Sequence, residues 1–189
     1  AMIITLGLGG IFFGCSSTSK TAVPGSVRKD YHRFMQSARK AEANLSKEEA
    51  VYRSDRVANV HYDLEVEVGR EKPDFSGKVK IEFDYKKLDT RPLTIDFSGG
   101  SILGMEINSE HAKDVDYNGF FVSISPDRLK AGKNTVLLRF SRAYSQSGDG
   151  LYRFKDPVDK RTYVYTDFEP YDANRLFPCF DQPDLKATY

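Results

Sequence analysis

The chain has 189 residues, with Lys+Arg at 28 against Asp+Glu at 27, for a formal net charge of +1. That balance gives no support to nucleic-acid binding, which needs a clustered basic excess. Hydrophobic residues at 40%, with 13 Phe and 11 Tyr, exclude disorder as the main state.

The N-terminus reads as an export signal. Met2 to Gly14 is a mostly apolar run that ends at Cys15. It falls well short of the roughly 20 apolar residues of a stable membrane span, and fits the apolar core of a secretory signal. Cys15 follows the small Gly14 and precedes Ser16-Ser17-Thr18-Ser19, which resembles a bacterial lipoprotein signal whose cysteine becomes lipidated. The match departs from that pattern at Phe12 and Phe13, and no basic residue precedes the run. An ordinary cleaved signal and a buried apolar segment are the alternatives. With Cys15 lipidated, Cys179 has no intrachain partner. Lying between Phe177 and Phe180, it reads as a buried small hydrophobe rather than a nucleophile.

A flexible tether follows, rich in Ser, Thr, Lys, Gly and Pro from Ser16 to Ser26. From Arg28 to Asn44, Tyr31, Phe34, Met35 and Ala38 recur at helical spacing. Ser46-Lys47-Glu48-Glu49 then reads as a capping box opening a second short helix to about Asp55. The charges of this region are expected on a solvated face.

The period changes to two at Val57. Val60, Tyr62, Leu64, Val66 and Val68 alternate with polar residues, as do Val79, Ile81, Phe83 and Tyr85. Each stretch reads as a strand with one buried and one wet face. Leu93, Ile95 and Phe97 form another, then Leu103, Met105 and Ile107. Tyr117-Asn118-Gly119-Phe120 signals a hairpin, with Phe120, Val122 and Ile124 leading out of it. Val136, Leu138 and Phe140 follow a turn at Lys130 to Lys133. About seven short strands with frequent turns predict an antiparallel β-sandwich. Ser145 to Gly150 reads as a mobile loop.

The last forty or so residues carry a resemblance. Gly150-Leu151-Tyr152-Arg153-Phe154, Tyr163-Val164-Tyr165-Thr166, Phe168-Glu169-Pro170 and the long run from Phe177 to Ala187 are similar to the end of the N-terminal domain of M1-family zinc aminopeptidases. Asn44 to Ala50, leading into Tyr62-Asp63-Leu64, resembles the entry to that domain. The likeness spans roughly residues 44–189. It implies a mainly β, saddle-like sandwich over 57–189, incomplete at its C-terminus. Residues 1–14 are then the signal, 15–27 the tether and 28–56 a helical lead-in.

The family's zinc motif, H-E-x-x-H, is absent, since His32, His61 and His111 have no such spacing. No catalytic residue and no metal ligand is therefore expected in this chain, and the fragment alone is expected to be inactive. The resemblance implies zinc in the full-length enzyme, with its ligands downstream. It also aligns Glu169 with the residue that binds the substrate's free α-amine; the bland alternative is a strand-end or turn carboxylate. Asp172, Asp181 and Asp184 read as turn chemistry rather than a metal cluster, with Arg175 pairing one of them. His111 reads as a loop histidine.

Two functions follow. One is the N-terminal domain of a membrane-anchored zinc exopeptidase acting on peptides, with its own catalytic domain downstream, exported to the bacterial cell envelope on a lipid at Cys15. The other is a noncatalytic peptide-binding or scaffolding module. Phe177 and Phe180 are expected in an apolar patch exposed for the downstream domain.

Overall fold

The computed structural model describes residues 39–69, 72–86 and 90–189. The signal segment, Cys15, the tether and the first part of the helical lead-in lie outside the described residues.

Two long strands and their partner form the frame. Strand β1 (Val57–Glu67) pairs antiparallel with β2 (Asp74–Tyr85), and β2 pairs along its whole length with β8 (Gly132–Ala143). Strand β4 (Ser101–Ile107) and the short β5 (Glu110–His111) continue the sheet beyond β8, while β11 (Ala187–Thr188) joins β1 in parallel. A three-stranded sheet, ordered β3 (Leu93–Asp96), β7 (Phe121–Ile124) and β6 (Asp116–Tyr117), supplies the second layer. Apart from the parallel β11 the sheets are antiparallel, as the alternation predicts.

The alternation also places the core. Val79, Ile81, Val136, Leu138 and Phe140 meet Leu93, Ile95 and Val122 in one cluster, all fully buried. Burying each such side chain contributes about 1.5–3 kcal/mol, so this cluster dominates the stability of the domain. The outer face of β1 and β2 stays wet, with cross-strand ion pairs from Lys80 to Asp63 at 2.6 Å and from Lys78 to Glu65 at 2.8 Å. Period two is satisfied on both faces.

Strand β3 is buried along its whole length. Leu93 and Ile95 enter the core, while Thr94 and Asp96 point the other way, to helix α1 (Lys47–Ser54). Ser46 caps α1, its Oγ accepting from Glu49 N at 3.2 Å. The other half of the expected capping box is absent. The Glu49 carboxylate turns inward to Arg91 and to the Thr94 hydroxyl, because a buried guanidinium needs an anion.

The expected solvated face is also corrected. Glu49, Arg53 and Arg56 are buried. The expected helix does not reach Asn44, for residues 41–44 are bends. Arg39 instead reaches Asp96 and stacks over the Phe121 ring at 4.3 Å, a tertiary tie that local periodicity cannot encode.

Three smaller corrections concern the strands. Leu103 is exposed, because an irregularity between Ile102 and Gly104 takes it out of alternation with Met105 and Ile107. The hairpin at Asn118-Gly119 forms, with Gly119 at φ +90°, but Phe121 opens the outgoing strand while Phe120 stays half-buried in the turn. His111 lies in strand β5, not a loop, where it pairs with Glu106 of β4 and is exposed.

Beyond the sandwich, β9 (Gly150–Lys155) and β10 (Thr162–Asp167) form a separate antiparallel ribbon. Ser145 ties it back, its N–H donating to Leu151 O at 2.8 Å. Phe177 and Phe180 form no exposed patch. Both are buried, with Phe177 edge-on to Tyr62 and Phe180 edge-on to Phe83, because the C-terminal run folds back onto β1 and β2.

Candidate functional site

The site is built at the end of the two-stranded ribbon. Its last pair sets Asp167 opposite Gly150, and Tyr165 stacks against Tyr152 with ring centroids 5.0 Å apart. The chain then leaves the strand through Phe168 and Glu169, and the Glu169–Pro170 peptide is cis. Glu169 N–H donates to Asp167 Oδ1 at 3.2 Å, and Asp172 N–H closes the following turn onto Phe168 O at 3.1 Å. The backbone around Glu169 is thus held by hydrogen bonds on both sides. Its side chain is not. Glu169 is exposed, and among the described residues no side chain pairs with its carboxylate.

The surface leading to it is aromatic. Phe154, Tyr163, Val164, Tyr165 and Phe168 are all exposed along the ribbon and its exit. An anionic acceptor beside apolar and aromatic surface suits a ligand with a cationic head and a nonpolar body.

The neighbouring acids are otherwise engaged. Arg175 Nε lies 2.5 Å from Asp172 Oδ1, the expected structural ion pair, with Asp149 3.4 Å from its Nη1. Asp181 Oδ2 accepts from the backbone N–H and the side-chain amide of Asn174, at 2.9 and 2.8 Å. Burial pushes the Asp181 carboxyl up, and these two bonds pull against it. Asp184 Oδ1 accepts from Gln182 Nε2 at 2.8 Å. Each of the three acids serves the turn it stands in.

Beneath the turn lies a buried polar cluster. Asp96 accepts from Arg53 Nη1 at 2.6 Å, from Asp181 N–H at 3.0 Å and from Arg39. Arg53 Nε donates to Gln182 Oε1 at 2.5 Å. Cys179 bonds to the Asp96 backbone in both directions, at 2.8 and 3.0 Å. It is buried, and that burial pushes its thiol well above the ordinary range, the state of an inert packing residue rather than a nucleophile. Local sequence gives little sign of Arg53, Asp96 and Asn174. An aspartate in the apolar run Leu93 to Phe97 is the one visible signal.

The described residues do not fit a catalytic zinc. The one His–carboxylate group among them with ligand atoms within 4.8 Å of one another is His61, Asp63 and Glu82. It lies on the wet face of the sheet, and Lys80 Nζ already stands 2.6 Å from Asp63 and 3.7 Å from Glu82.

The described residues thus form an antiparallel sandwich with an appended two-stranded ribbon, whose exit presents Glu169 to solvent. Comparison with known proteins places this domain in a family. The peptidase M1 N-terminal domain model matches residues 58–189. The chain is 30% identical over 157 residues to aminopeptidase N of Streptomyces lividans, covering 77% of this chain and 17% of that protein. It is 35% identical over 140 residues to probable M1 family aminopeptidase 1 of Encephalitozoon cuniculi (strain GB-M1), covering 68% and 15%. Native yeast LTA4 hydrolase shares the fold, with a TM-score of 0.61 at 22% identity over 88% of this chain and 26% of that one. The chain belongs to the M1 peptidase family and carries its N-terminal domain. It spans about one sixth of the length of these curated relatives.

Proposed function

We propose that this domain belongs to a membrane-anchored zinc aminopeptidase that removes N-terminal residues from peptides, and that Glu169 accepts the substrate's α-ammonium group. One observation carries the reading. In a chain of the M1 family, Glu169 presents an exposed, unpaired carboxylate on backbone held from both sides.

A protonated amine leaving water needs an anionic acceptor to offset its desolvation. A carboxylate at a fixed place supplies that and sets register, so that only the first peptide bond reaches the reacting centre. Zinc, held by residues outside this chain, would supply a polarised carbonyl and an activated water. The catalytic domain would pack downstream of this one. Export would end with lipid on Cys15, which holds the protein to the membrane.

The test uses the complete enzyme and one peptide in two forms. A free N-terminus should be trimmed and its N-acetylated twin should not. Equal cleavage of both would remove the role given to Glu169.

A further inference from the structure

We infer that Asn174 is a positioning residue for Glu169, fixing the amine-accepting carboxylate by locking the turn that follows it. The inference rests on the reading of Glu169 given above.

Glu169 lies in an exposed stretch, and its side chain has no partner among the described residues. Its place must therefore be set from the chain on either side. Downstream, the fixed point is Asn174, which is 3% exposed. Its side-chain amide uses both hydrogens, one toward Tyr171 O at 3.1 Å and one toward Asp181 Oδ2 at 2.8 Å. Its backbone N–H goes to the same Asp181 oxygen at 2.9 Å, and its carbonyl accepts from Ser98 N–H at 3.0 Å. Asp181 in turn donates its own N–H to Asp96, which holds Arg53 in the buried cluster. A short run of hydrogen bonds thus links the interior of the domain to Tyr171, two residues from Glu169.

Upstream, Gly150 and Arg175 lock the ribbon to the same turn. A Cβ on Gly150 would lie 2.7 Å from Arg175 Cβ, so only glycine lets the turn seat against the start of β9. Gly150 also stands at φ +69° and opposite Asp167, the residue that accepts from Glu169 N–H. Both ends of the Glu169 segment converge on residues 174 and 175.

Asparagine suits this place for a chemical reason. It donates two hydrogens from one planar group, one to a carbonyl and one to a carboxylate. Aspartate there would face Asp181 with like charge, and alanine would leave Tyr171 O and Asp181 short of donors. Neither alternative holds the turn.

A double-mutant cycle in the complete enzyme separates positioning from mere folding. With a free-amine aminoacyl reporter, Asn174→Ala should lower kcat/KM about tenfold, chiefly through KM, as expected when a binding group is displaced. In a Glu169→Ala background the same change should matter less than about twofold, since nothing is left to position. Asp181→Asn keeps an oxygen for Asn174 and should lose less than Asp181→Ala. Should Asn174→Ala fail to fold, Gly150→Ala disturbs the same turn from the other side and enters the same cycle. Equal losses in both backgrounds would make Asn174 a folding residue and overturn the inference. A Glu169→Ala enzyme with normal kinetics would instead overturn the amine-acceptor reading beneath it, and the two failures are distinct.

Discussion

Arg53 and Asp96 lie 43 residues apart in the chain and meet 2.6 Å apart, with side chains 0% and 1% exposed. The pair joins α1 to the back of β3, and through Asp181 it reaches the turn that carries Glu169. Removing one partner from such a pair leaves an uncompensated charge in the interior. Asp96→Ala, which strands Arg53 and Arg39 together, should cost about 3–5 kcal/mol of unfolding free energy. Denaturant titration measures this, and a loss below about 1 kcal/mol, the size of an exposed pair, would show that the cluster is not a buried brace.

Asp181 gives the domain a pH dependence of definite sign. Burial is the largest cause acting on its carboxyl and pushes it up, only partly offset by the two bonds from Asn174. A carboxyl raised in the folded state holds its proton more tightly there than in the unfolded chain. Its contribution to stability is full below the unfolded value of about 3.9 and is lost as pH rises through the raised folded value. Asp181→Asn removes that loss. The Tm of the variant relative to wild type should therefore climb as pH rises from about 4 toward neutrality. Parallel curves for the two proteins would contradict the assignment.

Much of the fold is legible in the sequence because strand alternation is a local property. Val79, Ile81 and Val136, Leu138 announce their faces two residues at a time, and the structure buries them all. The ribbon of β9 and β10 is not legible in that way. Tyr163, Val164 and Tyr165 are apolar on both faces and all three are exposed, so periodicity assigns them no side. The charges of α1 mislead for another reason. Glu49 and Arg53 look like a wet helix face until Arg91 and Asp96 arrive from β3 and its approach, about forty residues on. Glu169 is named by family resemblance, while Asn174 is named only by its hydrogen bonds.

The proposed membrane anchor has its own test in cells. Two or more acyl chains hold a protein stably on a bilayer, at about 0.8 kcal/mol per buried methylene. Cys15→Ser should release the protein from the membrane fraction or leave it unprocessed. An unchanged membrane fraction with an unchanged mass would rule out lipid at that position.

The central claim is that Glu169 receives the substrate's amine, and Glu169→Ala in the complete enzyme tests it most directly. A hydrogen bond to a charged group is worth about 1.5–3 kcal/mol, so kcat/KM for a free-amine substrate should fall about ten- to two-hundredfold. Zinc content should not change, because no metal ligand is touched. Glu169→Gln should be milder, since an amide oxygen still accepts from the ammonium group. A Glu169→Ala enzyme with wild-type kcat/KM would contradict the claim and leave Glu169 as a turn residue.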